Sequence, residues 1–94
     1  MANPVTVVSP GGQVTANPTN AAAVAAACPA GASGVIIAVN TQDARVSFDG
    51  STATAVNGVM IKAGTQPLYF PIAVALSIIG LNAAASDVSI LWVK

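Results

Sequence analysis

Charge is what this chain has least of. Its 94 residues carry six charged side chains, Asp43, Arg45, Asp49, Lys62, Asp87 and Lys94, and no histidine. Soluble domains are about a quarter charged. Most groups by which enzymes move protons, hold metals or grip phosphate are therefore missing, so no enzymatic activity is expected and no catalytic, cofactor-binding or metal-binding residue is assigned. The single cysteine, Cys28, excludes a disulfide within these residues, and without histidine it makes no zinc site. No cofactor is expected. No run of Lys or Arg could neutralise several phosphates or lean on an anionic bilayer, which argues against nucleic-acid and membrane partners. The apolar stretch 72–85 is shorter than the ~20 residues that span a bilayer, and Gly80 and Asn82 interrupt it. It reads as core. Residues 1–8 lack a basic start ahead of an apolar segment, so a secretory signal is not expected and synthesis in a cytoplasm is.

What the chain has is apolar bulk: 54% of residues are hydrophobic, 20 of them alanine. This length implies one domain, which buries only roughly 60 to 65% of its unfolded surface. Small domains commonly add a disulfide, a metal or a partner subunit, and the first two are absent from the composition. Oligomerisation remains.

Residues 1–20 are rich in Pro, Gly, Asn and Thr, with turn signals at Asn3-Pro4, Ser9-Pro10-Gly11-Gly12 and Asn17-Pro18. They read as an extended N-terminal arm or edge strand, ahead of a single β domain over 21–94. Residues 21–28 have helical propensity but are short and end at Pro29, so a strand or a single turn suits them equally. Val35-Ile36-Ile37-Ala38-Val39 is apolar on both faces, as a central strand covered twice would be. Arg45-Val46-Ser47-Phe48-Asp49 alternates, with Val46 and Phe48 on one face. These two runs are expected to form a hairpin across Thr41-Gln42-Asp43. Further strands are expected over 58–62, 67–71, 76–81 and 88–93, with 52–57 an exposed loop. Turn signals every 8 to 12 residues predict an all-β fold: a small antiparallel β-sandwich or β-barrel of six to eight strands. Val35, Ile37, Val46, Phe48, Ile61, Phe70, Ile79, Ile90 and Trp92 fall on the apolar phase and are the expected core.

Few side chains offer chemistry. Asp43 and Asp49 flank one strand and could be paired carboxylates, but both sit where aspartate caps turns. Arg45 beside either acid is better read as a surface or interface ion pair. Cys28 has no activating neighbour and suits buried filler. Gly31-Ala32-Ser33-Gly34 matches a bare GxxG spacing without basic or helical context, so it is a turn before a strand. Tyr69, Phe70 and Trp92 could stack on sugar rings, although a chain with four aromatics needs them in its core. Val88-Ser89-Ile90-Leu91-Trp92-Val93 is apolar on both faces, so it is either covered twice or meets another subunit.

The order Pro29-Ala30-Gly31-Ala32, Val35-Ile36-Ile37, Arg45-Val46-Ser47-Phe48-Asp49-Gly50, Gly58-Val59-Met60-Ile61-Lys62-Ala63-Gly64 and Ser89-Ile90-Leu91-Trp92-Val93 resembles small structural proteins of tailed bacteriophages and prophages. The resemblance covers roughly residues 21–94 and transfers no catalytic position. It implies a virion component made in the host bacterial cytoplasm, decorating or cementing the capsid as a homo-oligomer, with the major capsid protein or another virion protein as partner. A tail, fibre or adaptor component, and a small carbohydrate-binding β module, are the alternatives.

Overall fold

The computed structural model describes residues 6–9 and 11–94. Eight strands follow in order: β1 (Gln13–Ala16), β2 (Val24–Ala26), β3 (Gly34–Asn40), β4 (Ala44–Ser47), β5 (Val59–Ile61), β6 (Leu68–Phe70), β7 (Leu76–Gly80) and β8 (Asp87–Val93). They form two four-stranded sheets, ordered β1-β8-β3-β6 and β2-β7-β4-β5, with every pair antiparallel. The fold is all-β, as expected from the turn spacing.

The order has a simple origin. β1 pairs with β8, β2 with β7, β3 with β6 and β4 with β5, so the chain folds back on itself at the β4–β5 turn as one long nested hairpin. Wrapping that hairpin seals it along β3–β8 and β4–β7. The result is the strand order of a jelly roll, in which successive strands mostly alternate between the two sheets.

That wrapping corrects the hairpin expected between residues 35–39 and 45–49. β3 and β4 lie in different sheets, and residues 41–43 turn the chain from one to the other. Thr41 sits at φ 67°, unusual for a β-branched residue. Bonds on both sides hold it there: its hydroxyl donates to Asn40 O at 2.6 Å and accepts from the Asp87 N–H at 3.2 Å. Beneath the corner, the buried Ser86 hydroxyl lies 2.7 Å from Gln42 O and 3.2 Å from Asn40 O. The Ser86 N–H reaches back to Pro18 O. One small polar residue thereby ties three chain segments together.

The core lies between the sheets. β3 contributes Val35, Ile37 and Val39, and β8 contributes Val88, Ile90 and Trp92. Val46, Leu76, Ile78 and Ile61 face them from the other sheet. Of the expected core, Phe48 and Phe70 are half-buried against this cluster, their rings 4.7 Å apart. Ile79 is buried as expected, at 9% exposure, but outside the cluster between the sheets: Arg45 pairs with Ile79 and Val46 with Ile78, so Ile78 points inward and Ile79 is buried on the opposite face of β7. The outer face of β3 also differs from expectation, since Ile36 and Ala38 are half-buried and no second layer among the described residues stacks over them.

The segment expected as an arm is, where described, part of the sandwich; residues 1–5 and 10 lie outside the described residues. Val8 is buried, its N–H donates to Trp92 O at 3.0 Å, and Trp92 N–H donates to Gly12 O at 2.6 Å. β1 then continues down β8 from Gln13 opposite Leu91 to Ala16 opposite Val88. The backbone groups on that side of β8 need partners, and this segment supplies them. Residues 24–26, open between strand and helix from propensity, are a strand because β7 offers a free edge to pair with.

Candidate functional site

Besides the corner at Ser86, side-chain hydrogen bonds gather around the end of β4 and the loop to β5. Arg45 projects outward from β4, and its guanidinium donates to two loop carbonyls: Nε to Ala55 O at 3.0 Å and an Nη to Gly58 O at 2.8 Å. Thr54 and Asn57 exchange backbone bonds across the same loop, and the Ala53 N–H donates to the Ser77 hydroxyl at 3.0 Å. Arg45 is a clamp on its own loop, where an ion pair with Asp43 or Asp49 was expected. Gly58 takes a left-handed φ of 116°, and a Cβ there would press on the Val46 carbonyl.

Asp49 closes the other side of this corner. One carboxylate oxygen accepts from the Ser51 hydroxyl, the Ser51 N–H and the Ser47 hydroxyl. These bonds, led by the Ser51 hydroxyl, hold its pKa at about 2, below the usual 3.8. Such a group stays ionised near neutrality and has no proton to give as a general acid. Asp43 is likewise spent on structure, accepting the Ala63 N–H at 2.8 Å. The two acids stand at opposite ends of β4, with five residues between them in the chain, and its four strand residues at ~3.3 Å each already separate them by more than ~10 Å. Paired carboxylates of glycoside hydrolysis stand about 5 to 9.5 Å apart. The fold does not bring these two together.

Between β4 and the start of β5 lies an open cavity of about 350 Å³, lined by Val46, Ser47, Phe48, Asp49, Asn57, Gly58 and Val59. Its walls are mostly apolar, with Asp49 and Asn57 as polar groups at the rim. The aromatic trio does not form a platform. Trp92 is fully buried with its indole N–H lacking an acceptor among the described residues, and Phe70 points toward the core. Only Tyr69 is outward and exposed, at 56%. Its ring lies over Gly34, where a Cβ would come within 2.7 Å of it. Cys28 is half-buried, with its thiol near Pro29 O. Residues 31–34 form the turn into β3: Gly31 has φ 88°, and Ser33 N–H bonds Val93 O.

Two features escaped sequence reasoning. Ser86 was not singled out in the sequence, and no local signal marks it as a buried tie. Arg45 had the right position on an alternating strand, but its partners are carbonyls ten and thirteen residues away, which charge pairing does not anticipate.

Comparison with known proteins found no matching family model, no matching curated protein and no matching solved structure.

Proposed function

We propose that this chain is a non-enzymatic structural protein of a tailed-phage virion, decorating or cementing the capsid as an oligomer. The observation that carries the reading is where the chemistry-bearing side chains go. Asp43, Arg45 and Asp49 all bond to the protein's own turns, while Val56, Val59, Met60, Leu68 and Tyr69 stand exposed. What the molecule offers a partner is apolar surface on a rigid β scaffold. Contiguous apolar surface is the mark of protein–protein contact. The resemblance of residues 21–94 to small phage structural proteins supports the virion as the setting. A jelly-roll order is compatible with it, although that architecture serves capsids, lectins and enzymes alike.

The test is binding of purified protein to cognate capsids, expanded and unexpanded, read by co-sedimentation and electron microscopy. Decoration predicts many copies per particle, arranged with the lattice symmetry. No binding to either form overturns the reading. Labelling confined to the tail moves the protein to a tail, fibre or adaptor position.

A further inference from the structure

The two sheets differ in what lies over their outer faces. On the β2-β7-β4-β5 sheet, Arg45, Ser47, Ser77 and Ile79 point outward, opposite in phase to the buried Val46 and Ile78. The chain's own loop closes over them: the Ala53 N–H donates to the Ser77 hydroxyl at 3.0 Å, and the Arg45 guanidinium holds Ala55 O and Gly58 O. Ala53 is only 2% exposed, and Ile79 is buried on that face. The other sheet has no such cover among the described residues. One outward row runs from Gln13 on β1 through Leu91 and Ile36 to Tyr69 on β6, and the next holds Thr15, Ser89 and Ala38. Tyr69 is 56% exposed, and Leu91, Ile36 and Ala38 are each open in part.

Charge and area together select the occupant. Neither row holds a charged side chain, and among the described residues of this face only Asp87, opposite Asn40 at one end, is charged. A partner that brought charge here would have it stripped of water with nothing opposite. The Gln13 amide and the Thr15 and Ser89 hydroxyls each donate and accept, so they can pair with copies of themselves. The face is four strands wide and, along β3 and β8, seven residues long, which at ~4.8 Å per strand and ~3.3 Å per residue makes about 19 by 23 Å. Two such faces closing on each other cover roughly 700 to 900 Å² as flat areas, and projecting side chains such as Tyr69 raise the surface removed to about the 1,000 Å² a specific interface needs. A single added strand or a sugar ring would leave most of the face wet. We propose that this face is the contact between two copies of the chain, packed sheet on sheet about a two-fold axis that runs across the strands. That axis opposes the strand directions of the two copies and sets the two Asp87 side chains at opposite ends, while one patch serves both copies. The contact details the oligomer of the proposed function and rests on that reading for its setting. It is measured on free protein, whereas capsid binding is measured on particles, so either can fail alone.

Analytical ultracentrifugation from micromolar to millimolar concentration should show a monomer–dimer equilibrium that persists in molar salt, since no ion pair carries the contact. Ser89→Asp places a charge without a partner in the middle of the face and should weaken the dimer about tenfold or more. Tyr69→Ala removes the largest exposed side chain of the face and should weaken it about fivefold or more. Both side chains are exposed, so the fold tolerates their replacement, and Trp92 emission confirms that each variant is folded. Val56→Asp, on the loop toward β5 and 88% exposed, should leave the dimer unchanged. A monomer at every concentration overturns the proposal, as does a dimer that dissociates in molar salt. So does a dimer that Val56→Asp weakens as much as Ser89→Asp and Tyr69→Ala do.

Discussion

Glycines at Gly34 and Gly80 both sit in strands, yet they are there for different reasons, and the difference is measurable. A Cβ at Gly80 would meet the Pro18 carbonyl oxygen at 2.7 Å, which is backbone held by its bond from the Ser86 N–H. At Gly34 the obstacle is the far end of the exposed Tyr69 side chain, which can swing away. Gly80→Ala should therefore cost ~2 to 3 kcal/mol through overpacking. Gly34→Ala should stay within ~1 kcal/mol, since the reduced freedom of the unfolded chain offsets part of the ring's displacement. Thermal melting of the two variants checks this. Asp49 makes a pH prediction. Its folded pKa of about 2 lies below the usual 3.8, so its contribution to stability is present above about 4 and is lost as pH falls toward 2. Asp49→Asn should flatten the melting temperature across that window, and an unchanged acid slope would show that the three bonds to its carboxylate carry no stability.

At the scale of elements, β7 presents two isoleucines in succession, and only one faces the core. Ile78 is fully buried between the sheets, whereas Ile79 is buried on the opposite face, with Arg45 as its cross-strand neighbour. Ile78→Ala should cost about 3 to 4 kcal/mol, with a cavity among neighbours that cannot collapse. Ile79→Ala should cost about 2 kcal/mol, less because it lies outside the cluster between the sheets, where the site can collapse further. Equal losses in denaturant titrations would place both side chains between the sheets. The N-terminal segment gives a second prediction at this scale. Residues 6–8 and 12–16 supply backbone partners along β8 and place Val8 and Ala16 in the core. Deleting residues 2–16 should abolish cooperative unfolding, since an exposed β8 carrying unpaired donors and acceptors has lost one whole neighbour. A truncated protein that melts like the full chain would show that β1 is dispensable.

For the whole molecule, the nested hairpin implies slow folding. β1 must find β8 and β2 must find β7, pairings that close almost the entire chain before they stabilise anything. Trp92 is the only tryptophan and is fully buried, so its emission reports this closure directly. Refolding followed at that residue should take milliseconds to seconds or longer. Microsecond recovery of native emission would mean that a local cluster, rather than the closed sandwich, buries the indole.

Strand identity was legible because it is local. Residues 35–39, 45–49, 58–62, 67–71, 76–81 and 88–93 declared themselves through β-branched or alternating side chains between Gly, Pro and Asp turns, and each overlaps an observed strand. The scarcity of charge was also a property of composition alone. Pairing was not local, and there the sequence reading failed: adjacent strands β3 and β4 looked like a hairpin because nothing in residues 40–44 shows that β3 has better partners in β8 and β6. The phase of β7 was equally hidden, since Ile78 and Ile79 are chemically identical and only registration against Val46 chooses between them. Arg45, Asp49 and Ser86 were visible as polar residues, but their roles depend on carbonyls and hydroxyls brought near by closure of the sheets. Side-chain periodicity is written every two residues, so the chain determines where strands run. Which edges meet is decided by the burial gained when two distant apolar faces close on each other, and only the tertiary structure holds that information.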